Sequence, residues 1–346
     1  MLMKKIIFFF LLLFLSTAFA KDRVLNLFNW AHCLPDSVLQ QFEKETGIKV
    51  NYSVYNSNQA LYAKLKAGFS PQRPSAYDVV VPSTYLVQRL KKEGMLQRLD
   101  HSKIHHLQDL DLRFLNLPFD PGNQYSIPYM WLSGGLIVSC DLVPQINSWK
   151  DLWNPKFKGK IVLPDDVRDT FAIAFKALGY SINDQNPAHI KQAYLKLKAL
   201  LPSVIAFVPN GTFSVYLNHE AQIGSLLNGD ANRVIQNDSS FCYVYPKEGA
   251  IMALDNLVIV KNSPHLEEAY EFINFVLRPD VSKRIFEQVG FSIPNKKAIQ
   301  LMSPKERANR VLNPLPQLLG HSETEDYVND ATDRLYLNYF EMLKNG

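Results

Sequence analysis

Three groups of residues carry side chains whose type and spacing could do chemistry. The stretch Ala76–Tyr85 runs an apolar, β-branched strand from Asp78 to Val81 into Pro82, Ser83 and Thr84, and then into a helix spanning roughly Tyr85 to Glu93 that Gly94 closes. In an open α/β sheet a ligand sits at such a turn, so Tyr85 either packs as core or presents its ring to a solute, while Ser83 or Thr84 can cap the helix. Asp166 and Asp169, three residues apart at a helix start, could be offered as the acid and base of a glycosidase. Two acids so placed converge on one cation more naturally than they flank a bond. His101, His105 and His106 include a pair four residues apart that would share a helix face, but no cysteine or further acid completes a metal-ligand set. The chain has no H-E-x-x-H, no G-x-S-x-G, no Walker A loop and no G-x-G-x-x-G. The expectation is a protein that is not an enzyme and carries no metal or cofactor.

The elements that must position these groups alternate along the chain. In the first half, strands are expected over Val24 to Phe28 and Ile48 to Val54, and helices over Ser37 to Thr46, ending at Gly47, and Gln59 to Ala67, ending at Gly68. A second unit has strands near Leu136 to Cys140, Lys160 to Leu163, Val204 to Val208, Ile223 to Leu227 and Cys242 to Tyr245, with helices near Asp169 to Ala177 and Ala188 to Leu200. Such alternation implies parallel sheets. Two extended stretches without helical period, Tyr125 to Trp131 and Ile251 to Val260, are candidates for crossings between two domains.

The first twenty residues have the form of a secretory leader: Lys4 and Lys5, an apolar run from Ile6 to Leu15, and small residues ending at Ala20. That run is too short to span a bilayer, and residue 21 is Lys rather than Cys, so a soluble mature chain in a bacterial periplasm is expected. Removing Lys4 and Lys5 from the 37 basic residues leaves 35 against 33 acidic ones. Near-neutrality and the lack of a basic cluster with interleaved aromatics argue against nucleic acid as a partner. Cys33, Cys140 and Cys242 allow at most one bridge within the chain and form neither a disulfide framework nor a zinc pattern. About 325 mature residues exceed one comfortable core, so two domains are expected.

Whole phrases then carry a resemblance. They are Leu27-Phe28-Asn29-Trp30, Glu45 to Val50, Tyr62 to Lys66, Tyr77 to Tyr85, Tyr125 to Tyr129, Ser148 to Trp153, Asp165 to Asp169, Tyr245 to Gly249 and Leu277 to Val281. In these the chain resembles the periplasmic spermidine/putrescine-binding proteins of polyamine ABC importers over essentially its whole mature length. The resemblance implies an α/β, two-lobed periplasmic-binding-protein clamshell of type II, each lobe a mostly parallel sheet flanked by helices, with the ligand cleft between. Residues 21–130 plus 254–302 would form the N-lobe and 131–253 plus 303–346 the C-lobe. The implied partners are a small cationic polyamine and the permease subunits of an inner-membrane ABC importer; the protein itself would be a monomer.

The resemblance also implies a site. A polyamine is a flexible apolar rod with ammonium ends, so carboxylates hold the ends and rings line the shaft, each ring over a cation contributing about 0.5–2 kcal/mol. Carried over residue by residue, Trp30 and Tyr85 are aromatic walls, Ser83 a polar contact, and Asp166, Asp169 and Asp255 the acids; each acid could instead be a solvated charge, and Asp166 a helix cap. The chain departs from the family where Trp-Thr-Glu-Tyr becomes Trp30-Ala31-His32-Cys33, and where two wall tryptophans become Leu227 and Ala253. The departures leave three expectations. The surviving acids still demand a cation. Ala253 opens room for a bulkier amine or for Phe213, Tyr216 or Trp131 to fill the gap. Loss of two or three rings removes about 1–4 kcal/mol, or about tenfold to several hundredfold in affinity. His32, if it faces the cleft, would repel a cation as pH falls. The acidic run His321 to Asp326 precedes the last helix, where the family uses a polar side chain, and one of its acids could reach the cleft.

Overall fold

The computed structural model describes residues 23–209 and 211–345. The expected leader and its cleavage after Ala20 lie outside the described residues. Among the described residues ten strands form, β1 (Val24–Trp30), β2 (Lys49–Tyr55), β3 (Val79–Val80), β4 (Ile127–Ser139), β5 (Ile161–Pro164), β6 (Val204–Val208), β7 (Ile223–Leu227), β8 (Phe241–Val244), β9 (Ile251–Ile259) and β10 (Glu323–Thr324). Their order is β2-β1-β3-β9-β4-β7-β5-β6, with β10 on β9 and β8 on β4. Parallel pairing joins β1 to β2 and β3, and β5 to β6 and β7, as the alternating pattern requires. The long strands β4 and β9 are the exception and run antiparallel to each other.

These two strands thread two separate cores. One gathers Leu25, Leu27, Val38, Phe42, Met130, Leu257, Phe272 and their neighbours, the other Leu136, Trp149, Leu163, Phe171, Ile223, Ile251 and Tyr336. β4 enters the first core with Ile127 to Leu132 and the second with Leu136 and Val138; β9 does the same with Leu257 and Ile259, then Ile251. The architecture is therefore two-lobed, with β4 and β9 as the crossings. The extended stretch expected over Tyr125 to Trp131 and the strand expected near Leu136 to Cys140 are one continuous strand, with Gly134 and Gly135 inside it. In three dimensions Gly135 is where the Tyr243 ring lies: a Cβ there would stand 2.7 Å from it, and the Tyr243 hydroxyl donates to the Ser133 carbonyl at 2.7 Å. The glycine thus marks close packing inside a continuous strand.

Two helices matter most for the site. Thr84–Lys92 places Leu86, Val87 and Leu90 inward and is followed by Gly94 at φ +69°, the left-handed turn that glycine adopts without a steric penalty. Val167–Leu178 buries almost every residue of its first three turns, Arg168 among them. Cys140 and Cys242 form a disulfide between the end of β4 and β8, and Cys33 is free and buried. His101 to His106 does not form the helix that would align its imidazoles. Two short 3-10 turns, His101–Lys103 and Leu107–Asp109, replace it, and His106 is engaged with Asp109 at 2.9 Å. Among the described residues no helix is long and apolar enough to cross a membrane.

Candidate functional site

The site begins where β3 ends. Ser83 stands at the N-cap position of helix Thr84–Lys92, yet its side chain makes no cap bond. Its hydroxyl donates instead to Asp255 Oδ1 at 2.7 Å, and Thr84 Oγ1 donates to the Leu254 carbonyl at 3.3 Å. A serine that forgoes a cap worth about 1 kcal/mol has been turned to another use. Asp255, from the middle of β9, is 4 % exposed. Burial pushes its carboxyl up to about 7 from the usual 3.8, against the pull of the Ser83 hydroxyl and the Trp30 indole toward the ionised form. The indole N–H does so at a geometry that closes no hydrogen bond, and Trp30 Nε1 has no partner. Trp30, the last residue of β1, lies 4.8 Å from the Tyr55 ring, whose hydroxyl is fixed on the Val81 carbonyl at 2.6 Å. Asp255 thus sits on a floor of two rings with one hydroxyl donor.

A second carboxylate centre lies at the start of helix Val167–Leu178. Asp166 is the N-cap of helix Val167–Leu178, and Oδ1 accepts from the backbone N–H groups of Arg168 at 2.8 Å and Asp169 at 3.1 Å. Burial raises its carboxyl, opposed by these two donors and by the Arg168 charge. Glu325, just past β10, is 8 % exposed, and its Oε1 has no hydrogen-bond partner. Burial, reinforced by the charge of Asp166, pushes it up to about 7 although Arg168 pulls it down. Arg168 is itself buried and spends its N–H groups on the Asp326 carbonyl at 3.2 Å and Asn183 Oδ1 at 3.0 Å. Its guanidinium stands 5.6 Å over the ring centroids of Tyr85 and Tyr336. The Tyr85 phenol is held well above its ordinary value by burial and by the charges of Asp166 and Glu325. Beside this centre a hollow of about 90 Å³ opens, lined by Asn58, Tyr62, Tyr85, Arg89, Arg168 and Tyr327.

Buried carboxylates with too few donors, framed by rings, are complementary to a cation rather than to an anion or a neutral apolar solute. Residues 37–310 match the family model of bacterial extracellular solute-binding proteins. The spermidine/putrescine-binding periplasmic proteins of Escherichia coli and Salmonella typhimurium are each 42 % identical over 335 residues, covering 96 % of this chain and 95 % of theirs. Among solved structures, a spermidine/putrescine ABC transporter substrate-binding protein of Streptococcus pneumoniae superposes with a TM-score of 0.81 at 32 % identity, over 93 % of this chain and 99 % of that one. The chain belongs to the bacterial extracellular solute-binding proteins.

In this solute-binding protein, Ser83, Asp255 and Trp30 come together as one group and Tyr85 and Asp166 as another, with Tyr55 feeling both Asp255 and Tyr85. Asp169 occupies the first turn of the Asp166 helix, half-buried, with its backbone N–H on Asp166. The cap reading and the site reading of Asp166 both hold for one residue: Oδ1 caps the helix while the carboxyl group faces Tyr85 and Glu325. Leu227 and Ala253 are half-buried and pack against the first core. His32 and Cys33 do not join the site. His32 is exposed in a turn at φ +62°, and the Cys33 thiol is buried behind Trp30's strand, raised far above its usual value chiefly by burial. Tyr216 is fully buried in a core of the second lobe, with Phe213 packed against it, so neither fills space beside Ala253. Trp131 is buried too, stacked on Phe114 with 5.6 Å between centroids.

Two members of the site were not singled out in the sequence. Glu325 lies within the acidic run 321–326, where only its depth in the fold separates it from the exposed Asp326 next to it. Arg168 stands inside the phrase Asp165 to Asp169, but a cation is not what residue-type reasoning seeks in a site for cations.

Proposed function

We propose that this protein captures a polyamine or a closely similar cationic amine between its two lobes and delivers it to the membrane permease of an ABC importer. The observation that carries the reading is the pair of buried acidic centres, Ser83–Asp255 beside Trp30 and Asp166–Glu325 beside Tyr85. Asp255 has one hydroxyl donor and Glu325 Oε1 has none, and a rod with ammonium ends supplies further donors to both. The relatives named above are binding proteins for spermidine and putrescine, which supports a binding role over catalysis.

The lobe limits we adopt are 21–130 plus 254–302 and 131–253 plus 303–346. With them, Trp30, Ser83, Tyr85 and Asp255 belong to one lobe, and Asp166, Asp169 and Glu325 to the other. A ligand shifts the balance between open and closed forms only by touching both, and this constellation meets that condition. Location in the periplasm follows the leader-like N-terminus and the relatives' stated location.

Isothermal titration with spermidine, putrescine and cadaverine tests the reading. One-to-one binding to at least one of them, abolished or weakened at least about thirtyfold in Asp255→Asn, is the expected result. No heat with any of the three, together with no thermal stabilisation at millimolar amine, would overturn it.

A further inference from the structure

Two contact zones between segments that we assign to opposite lobes differ in character. The first is a polar and partly exposed rim, where Gln88 accepts from the Tyr327 backbone N–H and Arg89 lies 3.7 Å from Asp330. The second is buried. There the start of helix Asn228–Asn237 lies against Gly290 to Ser292, the segment that leaves helix Pro279–Val289. Gly229 has no room for a side chain, because a Cβ there would overlap the Phe291 ring and stand 2.9 Å from the Gly290 carbonyl oxygen. Phe291 is 7 % exposed and belongs to the core of Leu27 and Phe42, whereas Ala231 and Val234 of the helix belong to a core with Ile137 and Tyr216. Buried Asn228 donates through Nδ2 to Ser292 Oγ at 3.0 Å. The Ser292 carbonyl in turn accepts from the Trp131 N–H of the crossing strand β4 at 2.9 Å. The Arg233 guanidinium donates to the Val289 carbonyl and stands 5.8 Å from the Phe291 ring centroid. It is anchored on its own lobe by Asp230, 3.4 Å away, a buried carboxylate whose Oδ2 accepts from the Gly211 N–H at 3.0 Å.

Parting the rim returns exposed groups to water, where an ion pair and a hydrogen bond lose little. Parting the second zone would bare the Phe291 ring and strip the buried Asn228 and Ser292 side chains of each other. When the lobes separate, the rim is therefore the side that yields. Resting on the binding function proposed above, we infer that Gly229, Phe291 and Arg233 form the fulcrum of lobe closure, a contact kept in the open and closed forms alike while the rim parts. Closure is then a rotation about a fixed seat beside β4. Gly229 has no side chain to offer a ligand, yet by letting Phe291 and Gly290 come close it sets how far the lobes can close.

The test measures spin-label distances across both zones, with putrescine and spermidine as probes. Labels on the exposed positions Gln236→Cys and Glu287→Cys report on the seat, and labels on Lys64→Cys and Arg334→Cys report on the rim. Cys33 is buried and the other two cysteines are bonded to each other, so the labels go to the new thiols. At saturating amine the rim distance shortens by at least about 5 Å and the seat distance stays within about 2 Å of its ligand-free value. Gly229→Ala, which wedges the seat, keeps the rim longer than in wild type at saturating amine and weakens binding in calorimetry by at least about tenfold, because less of the protein reaches the closed form. Should that variant fail to fold, the label pairs on the otherwise unchanged chain decide alone. A seat distance that changes as much as the rim distance, or a folded Gly229→Ala with wild-type affinity and rim distance, overturns the inference and leaves the binding function standing. A wild type that binds neither amine overturns the binding function instead. The ligand-free distances then decide the fulcrum: narrowly distributed at the seat and broad at the rim if it holds, equally broad at both if it does not.

Discussion

The Arg168 guanidinium stands 5.6 Å above the ring of Tyr85, and through this contact the helix Val167–Leu178 meets the helix Thr84–Lys92. The protein's own cation thus packs against a ring beside two carboxylates, Asp166 and Glu325, that a ligand's cation would also seek. Around it the two lobes touch at their rim. The Tyr327 backbone N–H donates to Gln88 Oε1 at 2.5 Å, Arg89 pairs with Asp330 at 3.7 Å, and Lys92 lies 5.3 Å over the Tyr327 ring.

These contacts join segments that we assign to opposite lobes, so their removal is expected to raise the free energy of closure without touching the acids. The double variant Gln88→Ala/Arg89→Ala is expected to weaken amine binding by about threefold to thirtyfold, since one hydrogen bond and one exposed ion pair contribute about 1–2 kcal/mol together. Its ligand-free melting temperature should stay near that of wild type. Calorimetry and thermal melts read the two quantities separately.

Stability without ligand should fall as pH rises. The Asp255 carboxyl is raised to about 7 in the fold against 3.8 for an ordinary aspartate, so between pH 4 and 7 the folded protein holds a proton that the unfolded chain has released. The unfolded state therefore binds fewer protons, and unfolding free energy decreases with pH over that window and levels off above it. The upper limit from this residue is about 4 kcal/mol, and Glu325, also raised to about 7, acts with the same sign. Melts at pH 5.5 and 8 should show the ligand-free protein more stable at the lower pH, with a smaller difference in Asp255→Asn and in the presence of saturating amine.

Amine affinity should move the opposite way with pH. Below about 7 the acids carry protons that a cation must displace, so binding weakens as pH falls from 8 to 5.5. A His32→Ala variant should keep this dependence, because His32 is exposed and apart from the site, while Asp255→Asn and Glu325→Gln should each flatten it. A flat profile in His32→Ala alone would return the effect to the imidazole.

The Cys140–Cys242 bridge closes a loop of 102 residues in sequence separation. Cys140→Ser/Cys242→Ser is expected to lose about 2–4 kcal/mol of stability in urea unfolding. Neither cysteine is among the groups that act on Asp255, Asp166 or Glu325, so amine affinity at a temperature where the variant is folded should change by less than about threefold.

Much of the site was legible because each of its residues follows a local signal. Ser83 and Tyr85 stand at a strand-to-helix turn, Asp166 at a helix start, and Trp30 at a strand end, and these are positions that short-range backbone preferences and apolar periodicity fix. β6 and β7 have the limits that their β-branched and apolar runs indicate. Where the signal depended on a distant partner, it misled. The segment between Trp131 and Leu136 was assigned to neither stretch, and only Tyr243, more than a hundred residues on, shows why a strand carries glycine there. His101 and His105 have helical spacing, but capping by Asp100 and the hydrogen bond of His101 to Asn123 draw them into a short turn.

By itself, the sequence determined the alternation of elements, the placing of acids and rings at their ends, and the membership in a family that whole phrases betray. Tertiary structure alone decided which of several neighbouring acids is buried, that Glu325 rather than Asp326 faces inward, that Arg168 lies beside two carboxylates without bonding either, and that Cys140 finds Cys242. The reason is physical: element type follows from interactions a few residues long, whereas burial, and with it the energy of every charge, is set by segments that the chain brings together from more than a hundred residues apart.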